Sequence, residues 1–166
     1  MTIFSFRNVL VLMVLAVVGG CARGPGIEGT YRLVRRELPD GRVQQPPQVL
    51  GHHSYTRTHR HTTVAWKDAA GQWYSQSYVA VYRLSPDRYV EAPVYLAVSD
   101  PAGGSGPVNK VGGDAVQSPV TTADGTVRFE APAPFERALN IEFEYDNGGF
   151  RATGRGLFVD YWVKTD

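Results

Sequence analysis

Between Leu139 and Asp146 every second side chain is apolar: Leu139, Ile141, Phe143 and Tyr145 alternate with Asn140, Glu142, Glu144 and Asp146. A strand sends successive side chains to opposite faces, so this period predicts a ribbon with one buried face and one wet face. The turn signal Asn147-Gly148-Gly149 follows and reverses the chain into a strand from Phe150 onward. Ala123-Asp124-Gly125 does the same ahead of Thr126 to Glu130, because Asp-Gly tolerates the positive φ angles of a tight hairpin turn.

The same reading extends upstream. Strands are expected at Thr30 to Leu38, His53 to Arg57, Arg60 to Trp66, Trp73 to Leu84 and Tyr89 to Val98, separated by Pro39-Asp40-Gly41, a Pro46-Pro47 loop, Asp68 to Gly71 and Ser85-Pro86-Asp87. Trp73 to Leu84 is long enough to bend. The glycine-rich stretch from Asp100 to Asp114 reads as a loop or a lid over one end, followed by a weak strand at Val116 to Thr121. Leu157 to Lys164 is the last strand. Eight to ten strands joined by short turns make an all-β, antiparallel, up-and-down meander, and closing it into a β-barrel removes both exposed edges. The first strand would then pair with the last. A two-sheet sandwich is the alternative architecture.

The N-terminus has a different composition. Arg7 precedes an uninterrupted apolar run from Val9 to Val18, and the small pair Gly19-Gly20 leads into Cys21. As a helix that run is about 15 Å long, half the thickness of a bilayer core, so residues 1–20 read as a secretory signal helix rather than a permanent span. Val18-Gly19-Gly20-Cys21 resembles the bacterial lipobox, which implies acylation of Cys21 and cleavage before it. Two or more acyl chains give stable anchoring to a membrane. The resemblance also implies the outer membrane, since Ala22 rather than aspartate follows the cysteine. Residues 21–28 read as a lipidated cysteine and flexible tether, and residues 29–166 as one domain. Cys21 is the only cysteine, so no disulfide within the chain can support that domain.

Gly29-Thr30-Tyr31 is similar to the Gly-x-Trp opening of lipocalin-like proteins, with tyrosine in the place of tryptophan. The series Leu38-Pro39-Asp40-Gly41, Pro46-Pro47-x-Val49-Leu50-Gly51, Thr58-His59-Arg60, Trp66-Lys67-Asp68 and Tyr78-Val79-Ala80-x-Tyr82 resembles a family of bacterial lipocalin-like domains. That resemblance implies a barrel whose interior holds a small apolar molecule, and it supplies no catalytic set.

The formal net charge is +1 and the arginines are scattered, which leaves no basic patch for nucleic acid. His52, His53, His59 and His61 fall within ten positions, and His59 and His61 would share a strand face. No cysteine or carboxylate lies among them, and Arg57 and Arg60 flank the site, so no metal is expected. No serine sits in a Gly-x-Ser-x-Gly elbow. Among Asp87, Glu91, Glu142, Glu144 and Asp160, Glu91 stands out, because a carboxylate lining a barrel can pair with an inward arginine. Glu142 and Glu144 oppose Ile141 and Phe143 and read as solvated.

Aromatic residues crowd the first half of the domain. Tyrosine and tryptophan combine an apolar body with one polar handle, which suits a pocket that orients an amphiphile. The candidate ligand-binding set is Tyr31, Trp66, Tyr78, Tyr82, Glu91, Phe129 and Phe143. Tyr74, Tyr78 and Tyr82 share one face; Ser75 and Ser77 argue that it looks inward, Val79 and Val81 that it looks outward. The expectation is a non-catalytic envelope lipoprotein facing the periplasm, without cofactor, that binds a small hydrophobic or amphipathic ligand. A packed barrel that contacts another envelope protein is the alternative, and a small barrel enzyme the third. A binder should contain an aromatic-lined cavity of roughly 300 Å³ or more; an adaptor should show a packed interior and an exposed apolar patch.

Overall fold

The computed structural model describes residues 26–101, 107–133 and 140–166, so the expected signal segment and Cys21 lie outside the described residues. Twelve strands follow one another: β1 (Gly29–Glu37), β2 (Val43–Gln44), β3 (Val49–Tyr55), β4 (His59–Lys67), β5 (Trp73–Leu84), β6 (Arg88–Ser99), β7 (Val108–Val111), β8 (Val116–Ala123), β9 (Thr126–Pro132), β10 (Asn140–Tyr145), β11 (Gly149–Gly154) and β12 (Phe158–Lys164). Ten of them form a closed antiparallel barrel, with β2 hanging from β1 and β7 from β6. Closure comes from β1 against β12, where Leu33 faces Trp162 and Arg36 faces Asp160. Beyond the last strand Thr165 donates its backbone N–H to the Thr30 carbonyl, and the Asp166 carboxylate accepts the Thr30 N–H at 2.8 Å.

The Asp-Gly turn forms as its chemistry requires. Asp124 and Gly125 both take positive φ, 50° and 75°, and set Ala123 opposite Thr126. At the β10–β11 turn the Asp146 carboxylate caps the backbone N–H groups of Gly148 and Gly149. Where a loop or lid was expected across 100–114, residues 108–111 form a strand beside β6. β3 starts at Val49, four residues before the expected His53, because Val49 to His52 also find partners on β4.

Two bulges decide which side chains reach the interior. In β1 the register shifts between Leu33 and Arg35, so Val34 is an extra residue. Tyr31 and Leu33 point inward before it; after it the inward position passes to Arg36, which simple alternation would have turned to water. In β6 the pairing jumps from Pro93 opposite Ala80 to Tyr95 opposite Val79. Tyr89 and Glu91 are buried on one side of that bulge and Leu96 on the other.

The end where β1 begins is filled solid. Tyr31, Tyr55, Tyr82, Tyr89, Phe129 and Tyr145 are all buried, and Phe129 stacks on Tyr89 with centroids 4.2 Å apart. Ile27, inside the segment read as tether, is buried against this layer, and its carbonyl accepts the Tyr31 hydroxyl at 2.8 Å.

Candidate functional site

Above the tyrosine layer the interior opens into a cavity of about 250 Å³. It is somewhat smaller than the roughly 300 Å³ expected of a binder. Register sorts its lining by depth. Arg60 and His53 lie next to the tyrosine layer, since Arg60 pairs with Tyr55 and His53 with Thr62. Phe143, Phe150, Trp162, Val64 and Ile141 make the walls. Trp66, Phe158, Leu38 and Leu157 stand toward the other end, where Leu157 is exposed.

Two ion pairs are buried within the barrel. The Arg36 guanidinium grips Asp160 with both forks, Nε to Oδ1 at 2.6 Å and Nη2 to Oδ2 at 2.7 Å. Burial pushes the Asp160 carboxyl above its ordinary pKa, and Arg36 offsets only part of that effect. The second pair is deeper: Arg60 Nη1 donates to Glu91 Oε2 at 2.8 Å, and Glu91 has no solvent exposure at all. The Tyr78 hydroxyl donates to the other carboxylate oxygen at 2.6 Å, and the Tyr89 hydroxyl also donates to Glu91. A carboxylate with three donors is the compensation that a buried charge demands. Burial is the largest single influence on Arg60 and opposes its charge, but Glu91 together with Tyr55, Tyr89 and Tyr145 holds the guanidinium well above its usual pKa. Tyr78 is raised by burial and then by the same carboxylate, and Tyr89 by burial, then Tyr55 and Glu91, so both remain hydrogen donors.

His53 is an inward residue of β3, fully buried, with Nδ1 3.0 Å from Thr62 Oγ1. Burial, then the nearby Arg60 charge, lowers its pKa well below the ordinary value and keeps the ring neutral. Among the described residues its Nε2 finds no hydrogen-bond partner, and neither do Arg60 Nε and Trp162 Nε1. All three residues line the cavity. Gly51 makes room for the indole: a Cβ there would sit 2.6 Å from the Trp162 ring and 2.7 Å from Leu33 Cβ.

Of the residues expected to bind a ligand, Trp66 and Phe143 line the cavity. Tyr78 and Glu91 belong to the ion-pair network beside it. Tyr31, Tyr82 and Phe129 lie in the packed layer, and the first two spend their hydroxyls on the carbonyls of Ile27 and Thr56. The face shared by Tyr74, Tyr78 and Tyr82 is the inner one, with Gln76 and Ala80. His53, Arg60, Arg36, Asp160 and Trp162 were not in that set. Trp162 alternates with Asp160 in the last strand and could have been found by periodicity, whereas Arg36 depends on a bulge that no sequence signal marks.

The histidines do not converge. His59 and His61 lie outside the barrel with ring centroids 6.2 Å apart, while His53 points in. Among the described residues no group of three or more histidine, cysteine, aspartate or glutamate side chains is arranged to hold a metal ion. Glu144, half-buried, bridges Arg128 and Arg151 on the outer surface, with a pKa lowered by those hydrogen bonds. No protein-family model and no curated protein matches the chain.

Proposed function

We propose that this barrel is the carrier domain of a lipid-anchored envelope protein, and that its cavity holds a small amphipathic molecule without transforming it. One observation carries the reading. The cavity is walled by aromatic rings, yet three buried side chains on its lining, His53, Arg60 and Trp162, each have a nitrogen with no hydrogen-bond partner among the described residues. Leaving a buried polar group unpaired is costly, so a site that keeps three of them is adapted to something that occupies it. The anchor rests on the lipobox-like Val18-Gly19-Gly20-Cys21, and the outer membrane on Ala22.

Native mass spectrometry of the full chain purified from its own host tests the carrier reading. A non-covalent adduct is expected that disappears in Ala152→Phe, because Ala152 lines the cavity and a phenyl ring there fills it. An adduct that persists in that variant, or a protein without one, would count against it.

A second reading has its own support. Val94, Tyr95, Val108 and Val111 are exposed where β7 lies on β6, Val111 to 85 %. Val111 pairs with Tyr95, so both sit on one face, an apolar surface of the kind that contacts another protein.

A further inference from the structure

We propose that the molecule taken by the cavity is an uncharged aromatic compound of about ten non-hydrogen atoms bearing a hydrogen-bond acceptor, a ketone or aldehyde carbonyl being the simplest case. This rests on the carrier reading and narrows it to one chemical class.

Size comes first. A dry protein cavity of about 150 Å³ accepts benzene, so 250 Å³ accommodates a ring with a short substituent. The walls suit a flat molecule: Phe150 and Trp162 lie nearly parallel, 9° apart with centroids separated by 5.3 Å, and Phe143 stands beside Phe150 at 6.1 Å.

Charge comes second. Each buried cation on the lining already has its own buried anion, Arg36 with Asp160 and Arg60 with Glu91. His53 is held neutral by burial. A ligand with a formal charge would therefore enter a low-dielectric space without a free counter-charge, which selects against both anions and cations.

Polarity comes third. Trp162 Nε1 and Arg60 Nε are obligatory donors, and each lacks an acceptor. The His53 ring has one nitrogen engaged with Thr62 and the other open. The tyrosines do not compete for the ligand: Tyr31 and Tyr82 are bonded to carbonyls and Tyr78 and Tyr89 to Glu91, while Tyr55 and Tyr145, whose hydroxyls also lack partners among the described residues, are not on the cavity lining. Donors on the lining without acceptors favour a ligand that brings one, such as a carbonyl oxygen.

Four nearly isosteric probes separate these statements by calorimetric titration of the full chain. Acetophenone is neutral and accepts; α-methylstyrene has the same outline without the oxygen; benzoate carries a negative charge and benzamidinium a positive one. Acetophenone is expected to bind about tenfold more tightly than α-methylstyrene, as one or two added hydrogen bonds provide, and more tightly still than either ion. In Trp162→Phe, which keeps a ring and removes the N–H, that advantage should shrink at least threefold while α-methylstyrene changes by less than twofold.

Equal binding of acetophenone and α-methylstyrene would overturn the acceptor requirement while leaving a carrier of apolar molecules. Benzoate or benzamidinium binding best would overturn the charge argument. An acetophenone advantage unchanged in Trp162→Phe would remove that indole as a donor and overturn the geometry proposed. Failure of all four to bind would overturn the carrier reading itself, and this inference with it.

Discussion

Glu91→Gln is the most informative single change in the barrel. Glutamine keeps the shape of the side chain and one acceptor oxygen, but it removes the charge that faces Arg60 and turns an amide NH2 toward a group that donates. Arg60 is 3 % exposed, its Nε already lacks a partner, and no other carboxylate is paired with it among the described residues. Breaking a buried ion pair from one side leaves such a charge uncompensated and costs about 3–5 kcal/mol. That is a large fraction of the roughly 5–15 kcal/mol typical of a domain. Arg60→Met should cost less, about 2 kcal/mol, because Glu91 retains its two tyrosine donors. The double variant Arg60→Met/Glu91→Gln strands no charge and should lie within about 2 kcal/mol of the parent. Urea unfolding at neutral pH of all four proteins closes the cycle and isolates the coupling between the two sites. The reasoning fails if the two single costs simply add, or if Glu91→Gln costs less than about 1 kcal/mol.

His53 gives a pH signature. Its folded pKa is depressed, so below pH 6.5 the unfolded chain takes up a proton that the folded ring refuses; stability is complete above that pH and is lost as the pH falls, by up to about 1.4 kcal/mol per unit. Urea titrations between pH 7.5 and 5 should show this slope in the parent and not in His53→Phe. Asp160 behaves in the opposite sense. Its carboxyl is raised above the unfolded value of 3.8, so its contribution is complete below that value and falls as the pH rises through the folded pKa, and carboxyl-detected NMR should place its midpoint above 3.8. Gly51→Ala forces a methyl group against Trp162 and Leu33 and should destabilise by about 1–3 kcal/mol, read as a lower urea midpoint. Cys21→Ser should move the protein from the detergent phase to the aqueous phase on temperature-induced separation; unchanged partition would remove the anchor.

The barrel was legible in the sequence because its turns and its alternation are local. Asp124-Gly125 fixes one hairpin through its positive φ angles, the Asp146 carboxylate fixes another by capping Gly148 and Gly149, and Ile141, Phe143 and Tyr145 show their inner face without help from the rest of the chain. The inward arginine expected for Glu91 exists as Arg60, on a neighbouring ribbon that alternation also places correctly. The rest of the site was hidden for two reasons. A bulge shifts the parity of everything beyond it, so Arg36 reads as a surface residue until the pairing of β1 with β12 is known. The crowding of tyrosines gives composition but not depth: most of them form the solid layer, and the open volume also lies over residues outside the candidate ligand set, a histidine from a run weighed and rejected as a metal site and a tryptophan from the last strand. β7 escaped notice because all four of its residues are exposed, leaving no pattern to read.

The barrel also has a direction. Its solid floor lies where β1 begins, directly after Ile27, and the cavity mouth lies past the other end of that nine-residue strand, roughly 30 Å away. On the proposal that Cys21, six residues before Ile27, carries the acyl chains, the plugged base would be the end nearer the bilayer and the open rim would face away from it, toward the aqueous space. Cargo would then exchange with whatever approaches from across that space, and not by sliding up from the lipids underneath.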